Sequence, residues 1–177
     1  MKKNLFLSTN GFTLIELLVV IGVFATVGVI VILILFSTFR ASRKSDALIE
    51  LKQNGNAAIS QISKSVRYSK SLDSPSQCYP TVIASSIKLT SVQDNAQTTY
   101  ACVGGSSPTI ASNDASLINV NSISVSACSF TCSQSSPNDP PVITLDFTLR
   151  SKNLSGGIES AGTVPFKTAI IMRNFNR

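Results

Sequence analysis

Histidine is absent from the 177 residues of this chain. Glycine-rich loops of the recognised phosphate-binding form are also absent, so the side chain most often used for acid–base catalysis and a common phosphate cradle are both missing. These absences argue against an enzyme, and we predict neither a catalytic residue nor a cofactor. Charge is scarcest near the amino end, because Glu16 is the only ionisable side chain between Lys3 and Arg40.

That charge-poor stretch is apolar from Phe12 to Phe39. Written as a helix at about 1.5 Å per residue, it is roughly 42 Å long, which exceeds the roughly 30 Å hydrocarbon core of a bilayer. A secretory signal peptide has an apolar region of only about 7–15 residues with a cleavage site after it. Here the candidate cleavage site, Gly11, precedes the apolar run, so the run is predicted to be a membrane-spanning helix.

Glu16 is the costly residue of this helix. Insertion scales assign about 2.5–3.5 kcal/mol to an acidic side chain at the centre of a spanning helix, and less near an end. The carboxylate could lie in the first helical turn, where the macrodipole favours it by about 0.3–1 kcal/mol, and reach the interface. Alternatively it pairs with a positive charge in the low-dielectric medium, where either charge alone is penalised.

The residues GFTLIELLVVIGVFATVGVIVI, which begin at Gly11, resemble the N-terminal signature of type IV pilins and type II secretion pseudopilins. In that family a membrane-embedded prepilin peptidase cuts after the glycine and methylates the new amino terminus. The resemblance implies cleavage between Gly11 and Phe12, methylation of Phe12, and an assembly contact between Glu16 and the amine of a neighbouring subunit. The ending FKTAIIMRN is similar to the last strand of some minor pseudopilins of the J class.

Several residues of the apolar run are small, which permits close approach between helices in a membrane. They are Gly22, Ala25, Thr26 and Gly28. We therefore expect this helix to pack against copies of itself, although glycine and alanine are common in any spanning helix. The family often has a proline in this helix, and none occurs here.

The formal net charge of the chain is +6, and removal of Lys2 and Lys3 with the leader would leave +4. A basic group directly after the apolar run, Arg40, Arg43 and Lys44, suggests contact with lipid headgroups, and no nucleic-acid partner is predicted. Basic residues on both sides of the run leave orientation undecided. The resemblance to peptidase substrates places the amino end in the cytoplasm.

Helical periodicity continues from Ser42 to about Ser69. Its apolar stripe consists of Leu48, Leu51, Gly55, Ile59, Ile62 and Val66, and its opposite face of Lys44, Lys52, Gln53, Asn56, Gln61, Lys64 and Arg67. This pattern is typical of a helix that packs on a sheet with one face and exposes the opposite face to solvent. Nothing between Phe39 and Ser42 breaks the helix, so one continuous helix is predicted.

Alternation of apolar and polar residues predicts the strands. The clearest strand runs from Ile143 to Arg150, and a turn or bulge near Asn121-Ser122 would align Ile118 and Val120 with the residues after Ile123. Weaker strands are predicted at 83–92, 98–103 and 166–172. The predicted fold is α+β: a long N-terminal α-helix, membrane-spanning in its first half, packed by its second half on an antiparallel β-sheet, in the layout of pilin-like proteins.

Four cysteines, Cys78, Cys102, Cys128 and Cys132, lie beyond the membrane run, where an oxidising compartment permits disulfides. Four cysteines allow three connectivities, of which nearness in sequence favours Cys128–Cys132 with Cys78–Cys102. A tetrathiolate zinc site is an alternative, but such sites usually have two short cysteine pairs, and we predict no metal.

Calcium is a further alternative, suggested by the C-terminal loop of some major pseudopilins. Its ligands here would be Asp139 and Asp146. Two separated carboxylates, one of them outward on a strand, are more often surface groups, so calcium is not part of the prediction.

Four segments are thus predicted: a leader at 1–11, a transmembrane or filament-core helix at 12–39, its amphipathic continuation at 40–72 and a globular β-rich domain at 73–177. By resemblance, the chain is a prepilin-like subunit assembled into a type IV pilus or type II secretion pseudopilus, as a minor subunit. Its implied partners are prepilin peptidase, other pilin subunits, membrane lipid, and the inner-membrane assembly platform with its ATPase. A single-pass precursor in the cytoplasmic membrane would become a periplasmic or surface filament.

The alternative class is a single-pass, membrane-tethered extracytoplasmic domain that binds a ligand without polymerising. Within the filament class, an initiating or tip subunit is the alternative to a shaft subunit.

Overall fold

A computed structural model describes residues 11–152 and 162–175. One long helix, α1, runs without interruption over Leu14–Arg67, which confirms the predicted continuity past Phe39. The chain divides into two compact units, Met1–Ser42 and Arg43–Arg177. The first half of α1 belongs to the first unit, and its second half to the β-rich second unit.

The second unit contains nine strands within the described residues, and all of their pairings are antiparallel. In chain order they are β1 (Ser69–Ser74), β2 (Thr81–Ala84), β3 (Ser86–Ser91), β4 (Gln97–Val103), β5 (Thr109–Ser112), β6 (Ala115–Ser116), β7 (Ile123–Ser133), β8 (Val142–Ser151) and β9 (Thr163–Ile171).

These strands form two sheets, where the sequence predicted one. Sheet A has the order β1-β3-β4-β5-β6, and sheet B has the order β2-β7-β8-β9. The weak strand predicted at 83–92 is therefore two strands that separate at Ser85: β2 pairs with β7 in sheet B, whereas β3 pairs with β1 and β4 in sheet A. The separation gives the fold two apolar sheet surfaces to bury instead of one.

The second half of α1 buries the face that its periodicity predicted. The buried residues of this half of the helix are Leu51, Gly55, Ala58, Ile62 and Val66. All of these except Gly55 form one hydrophobic core with residues from both sheets. The predicted polar face is exposed throughout, so the amphipathic interpretation of this segment is confirmed.

The helix approaches sheet B closely at Gly55. A Cβ atom at this position would lie 2.5 Å from the Cε1 and Cε2 atoms of Phe166 and closer still to its Cζ atom. The Phe166 ring in turn stacks on Phe147, with ring centroids 4.9 Å apart and an interplanar angle of 12°. Glycine is favoured here because the aromatic ring occupies the space that a side chain would need.

The helix ends at Arg67, earlier than the sequence indicated. The predicted helical continuation reached residue 72, but residues 69–72 belong to β1. The backbone N–H of Val92, just after β3, donates to the carbonyl of Tyr68 at 3.0 Å. Pairing with β3 therefore outweighs the helical periodicity, as tertiary contacts often do. The Asn174 amide also donates to the Arg67 carbonyl at 3.1 Å, and this bond satisfies a free helix-end acceptor.

The turn that precedes β7 is fixed to the helix by side-chain hydrogen bonds. The Oδ1 atom of Asn54 accepts the backbone N–H of Asn119 at 3.1 Å, and the Ser122 hydroxyl donates to the Glu50 carboxylate. The Lys152 backbone N–H donates to the Ser122 carbonyl at 2.7 Å. The turn predicted near Asn121-Ser122 is confirmed, and β7 has an additional register shift between Val125 and Ala127.

Both disulfides attach to β7, and the predicted pairing is wrong. Cys78 is bonded to Cys132, with 5.2 Å between Cα atoms, and Cys102 to Cys128, with 5.7 Å. Cys128 and Cys132 are four residues apart on one strand, hence about 13 Å at roughly 3.3 Å per residue. Disulfides need Cα atoms within about 7 Å. The Cys102–Cys128 bond instead links sheet A to sheet B.

Candidate functional site

The candidate site is the N-terminal segment Gly11–Glu16, which carries the cleavage, methylation and assembly residues of the sequence prediction. Residues 1–10 of the predicted leader lie outside the described part of the chain. Gly11, Phe12 and Thr13 are non-helical and exposed, with 78% of Phe12 accessible. A Cβ atom at Gly11 would meet nothing within 4 Å. The peptide bond between Gly11 and Phe12 is therefore accessible and outside the helix, as a protease substrate requires.

Thr13 caps the helix and places Glu16 in its first turn. The Thr13 Oγ1 atom accepts the backbone N–H of Glu16 at 3.3 Å. The Thr13 carbonyl accepts the N–H groups of Glu16 at 3.1 Å and Leu17 at 3.2 Å. Threonine followed three residues later by glutamate is the sequence pattern of a capping box. Sequence reasoning missed the role of Thr13, although this spacing was a readable signal.

The position of Glu16 has two electrostatic consequences. As the third residue of α1, its carboxylate lies at the positive end of the helix dipole, which offsets about 0.3–1 kcal/mol of its cost in an apolar medium. Among the described residues, Glu16 has no ion-pair partner. The described part of its own chain therefore offsets the insertion cost only partly.

The apolar run that follows is exposed almost throughout. It is long and apolar enough to cross a membrane, and none of its most apolar window is buried within the chain. Monomeric soluble proteins rarely expose contiguous apolar patches larger than a few hundred Å², and larger ones are typical of surfaces that contact a membrane or another protein. A helix of this kind is compatible with a single-pass membrane anchor.

Within the described residues, the small residues of the run leave open space on the helix surface, and its threonine hydroxyls bond within the helix. A Cβ atom at Gly22 or Gly28 would meet nothing within 4 Å. The hydroxyl of Thr26 donates to the Val23 carbonyl at 2.8 Å, and that of Thr38 to the Ile34 carbonyl at 2.9 Å. These internal bonds satisfy the hydroxyls and lower their cost in an apolar medium. The helix surface is therefore free to pack closely against another helix.

The basic group at the end of the apolar run is exposed. Arg40, Arg43 and Lys44 are spaced three and four residues apart on α1, so they share one side of the helix. This arrangement suits contact with anionic headgroups, and the lipid contact itself stays a prediction.

Among the described residues, the ligands of the alternative zinc and calcium sites do not lie together. All four cysteines are bonded in disulfides, so a tetrathiolate zinc site has no thiolates. Asp146 lies 3.5 Å from the Lys167 ammonium, on the exposed side of β8. Asp139 lies in the loop between β7 and β8, where its backbone N–H donates to the Ser136 carbonyl. Over residues 11–152 and 162–175, no three potential metal-ligating side chains cluster.

Asp94, in the loop between β3 and β4, is a titratable group whose pKa the fold lowers. A hydrogen bond from the Ser91 hydroxyl contributes most, and the backbone N–H of Ala96 adds to it. Both donors favour the ionised carboxylate. The group is far in sequence from the N-terminal segment, and its role is to close the loop.

Comparison with family models, with curated proteins and with solved structures finds no match for this chain.

Proposed function

We propose that this chain is a prepilin-like subunit that is cut after Gly11, methylated on Phe12 and assembled into a type IV pilus or type II secretion pseudopilus as a minor subunit. One observation carries the proposal: the exposed apolar run from Phe12 to Phe39 has a single carboxylate, Glu16, which lies in the first turn of α1 and has no ion-pair partner among the described residues of its own chain. The resemblance of its opening residues to prepilins supplies the reaction.

Cleavage would create a positive charge that can neutralise the Glu16 carboxylate in an apolar medium. Breaking the bond between Gly11 and Phe12 creates a positively charged amine four residues before Glu16. When apolar helices pack together, the amine of one subunit and the carboxylate of the next can neutralise each other in a medium where either charge alone is costly. Because the pair forms at one stagger of the helices, it selects the axial register of assembly.

The remaining partners follow from the same proposal. Prepilin peptidase supplies cleavage and methylation, and an inner-membrane assembly platform with its ATPase supplies the energy to extract the helix from lipid. The precursor stays in the cytoplasmic membrane with its amino end in the cytoplasm, and the assembled subunit displays the β-rich unit in the periplasm or at the cell surface.

The first experiment tests cleavage. Replacing Gly11 with leucine puts a bulky side chain at the scissile bond, and the precursor should stay unprocessed when expressed with its peptidase. Gly11→Ala, which keeps the position small, is the matched control and should be cut more readily. Intact-mass measurement gives the first residue of each product. A Gly11→Leu chain that still begins at Phe12 would refute the cleavage assignment.

The second experiment tests the assembly contact. Glu16→Val should be processed normally, because the scissile bond is unchanged, yet be absent from filaments because the neighbouring amine has lost its partner. Glu16→Asp keeps the charge and should retain part of the incorporation. Immunoblotting of sheared filaments against membranes measures both. Incorporation of Glu16→Val at the wild-type level would refute the pairing between Glu16 and the amine of the neighbouring subunit.

A membrane-tethered domain that does not polymerise is the second candidate, and the separate core of the Arg43–Arg177 unit favours it. A full-length chimera in which an unrelated apolar helix without a carboxylate replaces residues 12–39 separates the two. A tethered domain keeps its binding activity on this anchor, whereas a filament subunit loses incorporation and the phenotype that depends on it.

A further inference from the structure

A cleft of about 380 Å³ opens in the Arg43–Arg177 unit, where the residues after β1 face the loop between β7 and β8. This volume lies near the lower end of the roughly 300–1,000 Å³ that small-molecule sites occupy. The Cys78–Cys132 disulfide ties the two walls together, and the Gln134 backbone N–H donates to the Pro80 carbonyl at 3.4 Å. One covalent bond and one backbone hydrogen bond therefore join the two walls of the cleft.

The lining combines an apolar interior with a polar rim. Pro141 is buried, and Leu72 and Phe175 are half-buried. Gln77 and Tyr79 are exposed at the rim. Among the described residues, no lining side chain carries a carboxylate, an ammonium or a guanidinium group, so this part of the wall offers no ion pair to a charged ligand.

The polar groups of the rim are available for hydrogen bonding. Within the described residues, the side-chain amide of Gln77 and the hydroxyl of Tyr79 have no protein partner. The Nε2 atom of Gln134 donates to the Asp139 carbonyl at 2.7 Å, which orients this amide and leaves its Oε1 acceptor for a ligand. Amides and hydroxyls both donate and accept, as a ligand with several hydroxyl groups requires.

We propose that this cleft binds a neutral saccharide of about one or two sugar rings. The sugar hydroxyls would bond to the amides and hydroxyls of the rim, and the apolar face of the ring would lie against Tyr79 and the apolar interior around Leu72 and Pro141. A proline-rich peptide fits less well, because such peptides dock in grooves lined by several aromatic side chains, and the exposed aromatic here is Tyr79 alone among the lining residues. The proposal holds for a filament subunit and for a tethered domain alike.

The test uses the full chain in micelles of a detergent without a sugar headgroup, because glycoside detergents would compete for the cleft. Saturation-transfer NMR is recorded with maltose, cellobiose, lactose and chitobiose, and a printed array of neutral glycans covers surface-attached chains. Sialyllactose and a proline-rich peptide are the charged and peptidic comparisons. At least one neutral saccharide should receive magnetisation from the aromatic protons of the cleft.

Two variants assign the binding to the cleft. Tyr79→Ala should raise the Kd at least tenfold, and Gln77→Ala should raise it about three- to tenfold. Tyr68→Ala is the matched control, since Tyr68 is 53% exposed and Tyr79 54% exposed, and Tyr68 lies outside the cleft. Gln53→Ala, on the exposed face of α1, controls for the amide. Both controls should bind as the wild type does.

Salt provides an independent check, because binding of an uncharged ligand is not screened. The Kd for a neutral saccharide should change less than twofold between low and high salt. The proposal is overturned if no neutral saccharide in solution or on the array binds, if Tyr79→Ala and Gln77→Ala both bind as the wild type does, or if only sialyllactose or the peptide depends on Tyr79. Saccharide binding in solution points to a free sugar, and binding on the array alone points to a surface glycan.

Discussion

Adding one methyl group at Gly55 should destabilise the β-rich unit, although alanine favours helices. The new Cβ atom would lie 2.5 Å from two ring carbons of Phe166 and nearer to a third. Ordinary carbon–carbon contact is about 3.5–4.0 Å, so the ring must retreat by about 1 Å or more. Phe147 stacks against that ring and limits the retreat.

Two opposing terms set the magnitude for Gly55→Ala. Overpacking a well-filled core costs about 1–3 kcal/mol, and replacing glycine by alanine inside a helix returns about 1 kcal/mol. The difference between these terms is about 0–2 kcal/mol. Because Phe147 limits the retreat of the ring, we expect the upper half of this range, about 1–2 kcal/mol, or roughly 3–8 °C in the Tm of a unit of this size. Near-UV circular dichroism of the full chain in micelles follows the loss of tertiary structure around buried Tyr100.

A second substitution isolates the cause. In a Phe166→Leu background the ring is gone, so Gly55→Ala should cost much less and could stabilise by its helix propensity. Asn56→Ala, at the exposed neighbouring position, is the matched control and should change stability by a few tenths of a kcal/mol. A Gly55→Ala protein that melts at or above the wild-type Tm, with Phe166 in place, would refute the packing argument.

Three further predictions concern the same unit. Replacing Cys102 and Cys128 together by serine should lower the free energy of unfolding by about 2–4 kcal/mol, as measured by urea titration. A loss below about 1 kcal/mol would mean that the two sheets stay packed without the disulfide. Asn54→Ala should cost about 0.5–1 kcal/mol, because the Asn119 N–H loses its acceptor, and unchanged stability would show that water replaces it. The lowered pKa of Asp94 contributes stability that is present above the unfolded pKa and is lost as the pH falls through the folded pKa. An NMR titration should therefore find this carboxyl ionised to a lower pH in the folded chain than after unfolding. A folded pKa equal to or higher than the unfolded one would contradict the two hydrogen bonds.

The elements with strong periodicity were predictable from the sequence. The stripe on the second half of α1 gave its buried face, and the alternation from Ile143 gave β8. The strand predicted at 98–103 corresponds to β4, and the one at 166–172 overlaps β9. In each case the pattern extends over enough residues for one face to be distinguished from the other.

The short strands and the sheet partners were not predictable in this way. β1, β5 and β6 are two to six residues long and rich in serine and threonine, so no apolar alternation marks them. The exchange of sheets at Ser85 depends on which strands lie nearby in space. The disulfide prediction failed for a related reason, because Cys128 and Cys132 are neighbours in sequence but are held apart by the extended backbone of β7.

Only part of the candidate site could be identified from the sequence. A lone carboxylate in an apolar run identified Glu16 from charge and hydropathy, and the resemblance supplied Gly11 and Phe12. The cap at Thr13 could have been found from its spacing to Glu16. The cleft beside Tyr79 could not, since its walls come from segments more than fifty residues apart that a disulfide of unpredicted pairing joins.

The intact mass of the chain recovered from sheared surface filaments tests the central claim most directly. If an amine created at Phe12 neutralises the Glu16 of the adjoining subunit, every assembled chain must begin at a methylated Phe12, while uncut chains stay in the membrane. Assembled chains that begin at Met1 would contradict the account, because their helices would pack with the carboxylate uncompensated.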